Sequence, residues 1–132
     1  MTQLLLLMIL LVLRSEPVYA EWTAVEKINQ GEMSVYVDSD TINRSGDVVK
    51  MWELWDFKTT RTEPKPPHMS VKSQREFDCT KKVGRLLAVT AFSGNMGSGK
   101  VVYSYSDFEH QRIPIEPGSV AESVWKVVCS KE

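Results

Sequence analysis

Hydrophobic and polar positions alternate along most of the chain, in runs parted by turn residues every 8–12 residues or so (about the spacing of an antiparallel sheet). Trp22 to Ile28 reads as a first strand, ended by Asn29-Gln30-Gly31. Met33, Val35 and Val37 alternate with Ser34 and Asp38 in a second, and Asn43 to Asp47 supplies a turn. In the next run, Val48 to Phe57, one face carries Val49, Met51, Trp55 and Phe57 while the other carries Trp52 and Leu54. Both sides of that strand therefore need cover, which makes it a central strand or one with a side turned to a partner. Thr59 to Pro67 contains three prolines that cannot donate to a ladder, so an exposed, partly extended loop is expected there. Met69 to Cys79 alternates again and sets Cys79 on the apolar side. Val83 to Ser93 is apolar on both faces, as in a covered strand, and beyond a glycine-rich loop Val101, Tyr103 and Tyr105 line one side of the last strand.

The period then changes. Ser119-Val120-Ala121-Glu122 is a capping box in which Ser119 accepts from the amide of Glu122 and the Glu122 side chain reaches back. Val120, Val124, Val127 and Val128 follow as one apolar stripe, with Trp125 and Cys129 one turn apart beside it. Such a helix needs a surface to lie on, and the inward Cys79 points to the sheet. The expected fold is α+β: an antiparallel sheet of about six strands with a C-terminal helix packed on one face.

Leu4 to Leu13 is an unbroken apolar run followed by Val18-Tyr19-Ala20, the pattern of an export signal cleaved after Ala20. Residues 1–20 are thus expected to be a signal peptide and 21–132 a single domain. The run is shorter than the roughly 20 residues a membrane-spanning helix needs. No cysteine stands near the cleavage point to accept a lipid, so no stable membrane anchor is expected. Export leads to the periplasm, and the cell surface or the medium are the further destinations. The net charge of −1 lacks the strongly basic face of a nucleic-acid binder. In an exported domain of this size the only two cysteines, Cys79 and Cys129, are expected to be bonded.

Candidate chemistry is thin. Gly94 to Lys100 spaces its glycines and lysine like a phosphate-binding loop, but Val101 replaces the hydroxyl that would hold magnesium. A strand also follows where the mechanism needs a helix, so a hairpin loop is expected. His68, His110, Cys79 and Cys129 are too scattered for zinc, and the histidines read as surface residues. Asp107, Glu109 and His110 form a cluster that reads as solvated, and Asn43-Arg44-Ser45 matches a glycosylation acceptor by letter. No catalytic, cofactor or metal site is expected. Lys58, Arg61, Lys65, Lys72, Lys81, Lys82 and Arg85 gather in the middle third, as a solvated face or as a docking patch for an acidic or glycosaminoglycan-like partner. One helix cannot cover two faces of a sheet. The face bearing Trp52 and Leu54, with Lys50 and Lys72 nearby, is therefore the expected surface for a protein partner or a second copy, unless Trp52 lies buried under the proline loop.

Tyr36-Val37-Asp38, Trp52-Glu53-Leu54-Trp55-Asp56-Phe57, Phe77-Asp78-Cys79, Ser93-Gly94 with Met96-Gly97-Ser98-Gly99-Lys100, and Ile115-Glu116-Pro117-Gly118-Ser119 ending in Val128-Cys129 resemble, in this order, the surface-adhesin protein E family. The resemblance implies about six antiparallel strands and a helix bonded to the concave face. It further implies surface display, binding of the host proteins vitronectin, laminin and plasminogen, and dimerisation. The reading that follows is an exported, non-catalytic binding domain for host or envelope proteins. A periplasmic envelope-assembly module is the alternative, and an enzyme the third.

Overall fold

The computed structural model describes residues 22–28, 30–106, 108 and 111–130. The signal-peptide reading and the Asp107, Glu109 and His110 cluster lie outside them. Eight strands are described: β1 (Trp22–Ile28), β2 (Met33–Asp38), β3 (Asn43–Ser45), β4 (Val48–Arg61), β5 (His68–Asp78), β6 (Val83–Phe92), β7 (Val101–Tyr105) and β8 (Ile113–Pro114), followed by one α-helix, α1 (Val120–Ser130). They form a single antiparallel sheet in the order β1-β2-β4-β5-β6-β7, with β3 on β4 and β8 on β6.

Four features differ from the sequence reading. Asn43 to Ser45 is a strand, not part of the turn, because Asn43, Arg44 and Ser45 pair with Lys50, Val49 and Val48 across a tight turn at Gly46, whose φ is +63°. A short 3-10 turn at Ser39–Thr41 separates β2 from β3, so the chain bends once while staying beside β4. β4 runs on past Phe57 to Arg61, which pairs with His68, and the proline segment is confined to the connection after it. Finally, the two-residue β8 returns the chain along the start of β6, held by the Ile115 amide on the Lys82 carbonyl at 3.1 Å.

Side chains alternate across each strand, and the register decides what each face carries. On the inner face Val35, Val37, Val49, Met51 and Phe77 meet Val124 and Val128 of α1, all but dry, with Ile115 closing one end. Cys79 and Cys129 are bonded, with Cα atoms 5.6 Å apart, tying the end of β5 to the last turn of α1. In the unfolded chain that bond closes a loop spanning a sequence separation of 50, which stabilises the fold by about 4 kcal/mol in the chain-entropy account.

The capping box forms with one change. The Glu122 amide donates to Ser119 Oγ at 3.1 Å as expected, but the Glu122 carboxylate reaches past Ser119 to the amide of Gly118, also at 3.1 Å. The Ser119 amide is occupied by the Glu116 carbonyl, and Gly118, at φ +79°, presents its own N–H instead. The other oxygen of Glu122 takes the Lys82 ammonium at 2.6 Å, so the helix start is tied to the β5–β6 turn as well. This pairing with Lys82, then the Gly118 bond, holds the carboxyl at about 2, well below its usual 4.5.

Candidate functional site

The outer face of the sheet, away from α1, carries no α-helix among the described residues. Its far end is covered by the loop joining β6 to β7, which closes with Ser93 N on Lys100 O at 2.9 Å and Gly94 N on Ser98 O at 3.0 Å. This is the hairpin loop expected of the glycine-rich segment, with Val101 opening a strand. The loop folds down onto β4 and β5 through polar contacts. Asn95 Nδ2 donates to Asp56 Oδ1 (3.1 Å) and to the Phe57 carbonyl (2.7 Å), and the Met96 amide also donates to Asp56 (2.7 Å). The Gly97 amide donates to Ser70 Oγ, whose hydroxyl donates on to the Gly94 carbonyl.

Leu54 is therefore not part of an open patch, which corrects the sequence expectation. It sits between Tyr36 and Lys72 in the ladder, beside the Asp56 and Ser70 anchors of the loop, and is wholly buried. The proline segment does not cover Trp52 either. Trp52 pairs with Gln74, well down β4 from that turn, and remains half-buried. Lys50 is exposed between Asn43 and Glu76 and stands outside the cleft that Trp52 borders.

Where the loop stops, a cleft of about 300 Å³ opens, lined by Trp22, Asp38, Thr41, Trp52 and Lys72. Register brings these together: Trp22 pairs with Asp38 across β1 and β2, and Lys72 pairs with Leu54, one outer-face position along β4 from Trp52. The Thr41 hydroxyl donates to the Asp38 carbonyl at 2.7 Å and accepts the Trp52 amide at 3.1 Å. Asp38 caps the 3-10 turn by accepting the Asp40 amide at 3.1 Å. The Lys72 ammonium lies 5.8 Å from the Trp22 ring centroid and 5.3 Å from that of Phe92, within cation–π range. Of the four residues singled out from the sequence, the structure thus joins Trp52 and Lys72, buries Leu54 and sets Lys50 aside. Sequence reasoning missed Trp22, Asp38 and Thr41. Asp38 and Thr41 flank Ser39-Asp40 in a run typical of side-chain-capped turns, which was the available signal.

The seven basic residues do not form one patch. Lys58, Arg61 and Lys65 lie near the β4–β5 turn and Lys81 and Lys82 near the β5–β6 turn, ends separated by the length of β5, roughly 30 Å. Lys82 and Arg85 are engaged with Glu122 and Glu76, and Arg61 stacks over Phe57 at 4.8 Å. Glu76, nearly buried, receives both Arg85 and Arg112, fastening the segment before β8. His68 is buried rather than on the surface: Nδ1 lies 2.9 Å from the Pro66 carbonyl, and the ring meets Phe57 and Tyr103 edge-on. On the inner face Glu53 is fully buried, with Arg75 on Oε1 at 2.8 Å. Burial pushes its carboxyl up, against the pull of Arg75. Among the described residues no group of three or more His, Cys, Asp or Glu could hold a metal ion, and no helix is long and apolar enough to cross a membrane.

The protein is thus a single antiparallel sheet with a C-terminal helix bonded to one of its faces. The family of surface-adhesin protein E matches residues 22–130. The chain belongs to that family. Crystal form II of Haemophilus influenzae protein E has the same fold, with a TM-score of 0.60 at 12% identity over 86% of this chain and 92% of that one. A second structure of Haemophilus influenzae protein E gives 0.59 at 13%, over 88% and 90%. Protein E from non-typeable Haemophilus influenzae gives 0.54 at 14%, over 86% and 78%. No curated protein sequence matches the chain. The adhesin E family therefore places the protein among surface-adhesin-like proteins, with the sheet, helix and disulfide the sequence leads one to expect.

Proposed function

We propose that this protein is an exported, non-catalytic binding domain that engages a protein partner through the outer face of its sheet, at the cleft between Trp22 and Trp52. The observation that carries this reading is the cleft itself: a pre-formed recess flanked by two tryptophans on the face away from α1. Tryptophan is among the residues enriched at the hot spots of protein interfaces. Membership of an adhesin family supports a host protein as the partner, and the apolar leader supports export. The test is binding of the purified protein to immobilised vitronectin and laminin. Saturable binding weakened by Trp52→Ser, with circular dichroism unchanged, supports the reading. Absence of binding to host proteins, or binding indifferent to Trp52→Ser and Trp22→Ser, overturns it.

The alternative is a module of envelope assembly confined to the periplasm, a destination that the apolar leader serves equally well. Protease treatment of intact cells separates the two. A displayed adhesin is removed, and a periplasmic module survives.

A further inference from the structure

The cleft presents three kinds of group that one occupant has to satisfy together. Lys72 brings an ammonium that enters none of the ion pairs among the described residues. Asp38 brings a nearly buried carboxylate that accepts the Asp40 amide through Oδ1. A carboxylate offers about four acceptor positions, so it can take a further donor. Trp22 and Trp52 bring flat apolar surfaces.

We propose that the cleft is a subsite for one carboxylate-bearing sugar ring, a uronate or a sialate, of an anionic glycan carried by the partner; this rests on the reading of the outer face as the binding face. The carboxylate of the sugar meets Lys72, one of its hydroxyls donates to Asp38, and its C–H face lies on an indole. Other occupants leave one group in conflict. An acidic peptide side chain would pair with Lys72, but it carries neither the hydroxyl donor for Asp38 nor the flat C–H face for an indole that a sugar ring brings on the same rigid frame. A basic side chain would stack on an indole and meet Asp38 but face the Lys72 ammonium. A neutral sugar leaves the half-buried ammonium without a counter-charge.

The groups are also held before any ligand arrives. The Thr41 hydroxyl couples the Trp52 amide to the Asp38 carbonyl, so the floor of the cleft moves as a unit. Gly97, at φ +72°, lies so close to the Lys72 stem that a Cβ there would come within 2.6 Å of Cε. The glycine-rich loop thus keeps the lysine against Trp22 and Phe92. Fixing side chains in advance reduces the entropy lost on binding.

Nuclear magnetic resonance of the tryptophan indole N–H groups tests this in the wild-type protein. The chain has 4 tryptophans, of which Trp55 and Trp125 have buried indole nitrogens and serve as internal controls. The probes are a hyaluronate tetrasaccharide, sialyllactose, a neutral chitin tetrasaccharide and a glutamate-rich peptide. At least one acidic sugar should shift Trp22 and Trp52 while Trp55 and Trp125 stay put, and which one does so identifies the source of the carboxylate. Lys72→Gln should weaken that binding about tenfold or more, with Lys72→Arg retaining it. No shift with either acidic sugar, equal binding of the neutral one, or shifts produced by the peptide instead would overturn the subsite. If protein capture still depends on Trp52 but survives deglycosylation of the partner, the sugar subsite falls and the binding face stands.

Discussion

The two faces of the sheet are closed by different physics. On the inner face, Val35, Val37, Val49, Met51 and Phe77 meet the valines of α1 in a continuous apolar contact, clamped by the Cys79–Cys129 bond. On the outer face, the loop around Asn95 to Gly97 is held by directional bonds to Asp56, Phe57 and Ser70, and the neighbouring Leu54 is wholly buried. Apolar contact is non-directional and rewards every further square ångström, so it spreads until the helix is fully seated. A hydrogen-bonded cover is complete once its donors are matched, and it stops there. The cleft between Trp22 and Trp52 lies where that cover stops. The first kind of closure builds stability and the second leaves room for a ligand.

Loss of the covalent clamp should have the largest effect on this contrast. Replacing Cys79 and Cys129 by serine should cost about 4 kcal/mol in urea denaturation while leaving a foldable sheet. A cost under about 1 kcal/mol would mean that α1 is held by packing alone. Next come matched truncations on the two sides of β4. Met51→Ala on the inner face should cost roughly 2–5 kcal/mol, and Leu54→Ala should fall in the same range if the loop is a true second cover. A negligible loss at Leu54 would reduce the outer closure to a surface feature.

Gly97→Ala adds a side chain at a positive φ and against Lys72, so a loss of roughly 1–2 kcal/mol is expected from the backbone alone. Its sharper readout is displacement of Lys72, seen as a change in the environments of Trp22 and Trp52. Trp52→Ser should cost least in stability, roughly 1 kcal/mol or less, because the side chain is only half-buried and lies outside the apolar cluster of the inner face.

Acid separates two carboxyls with opposite signs. Glu122 has its folded value depressed to about 2 by Lys82, so its contribution is present above its usual 4.5 and is lost as the pH falls towards about 2. Lys82→Met should flatten that loss in acid denaturation. Glu53 is raised by burial, so its contribution is greatest in acid and declines as the pH rises through the folded value. The stability of Glu53→Gln relative to wild type should therefore improve with rising pH, and the reverse trend would show that Arg75 outweighs burial.

Local pattern made much of the fold legible. The Asn29-Gln30-Gly31 turn signal bounded β1, and alternation marked β2, because a half-buried strand has one dry and one wet side to satisfy. The Ser119–Glu122 pair marked the start of α1, and the two cysteines announced the bond that closes it. β3 and β8 were not legible, since runs of two or three residues pair only because β4 and β6 already offer free edges. The Leu54 assignment failed for a related reason. It lies in the ladder next to Asp56 and Ser70, the two positions on which a glycine-rich loop some 40 residues away docks, and nothing in the letters of that loop announces the docking.

The same division runs through the candidate site. Trp52 and Lys72 stood out in the sequence as an aromatic and a cation on one side of neighbouring strands. What they became was decided by register: Trp22 against Asp38, Leu54 against Lys72, and Thr41 bridging Asp38 to Trp52. By itself the sequence determined the alternation, the helix and its staple, because each depends on residues close in the chain or on a single covalent pair. Only the tertiary structure decided which outer-face residues are buried, which are open and which meet. Those outcomes depend on strand pairing and loop docking between distant segments, whose energies no local pattern records.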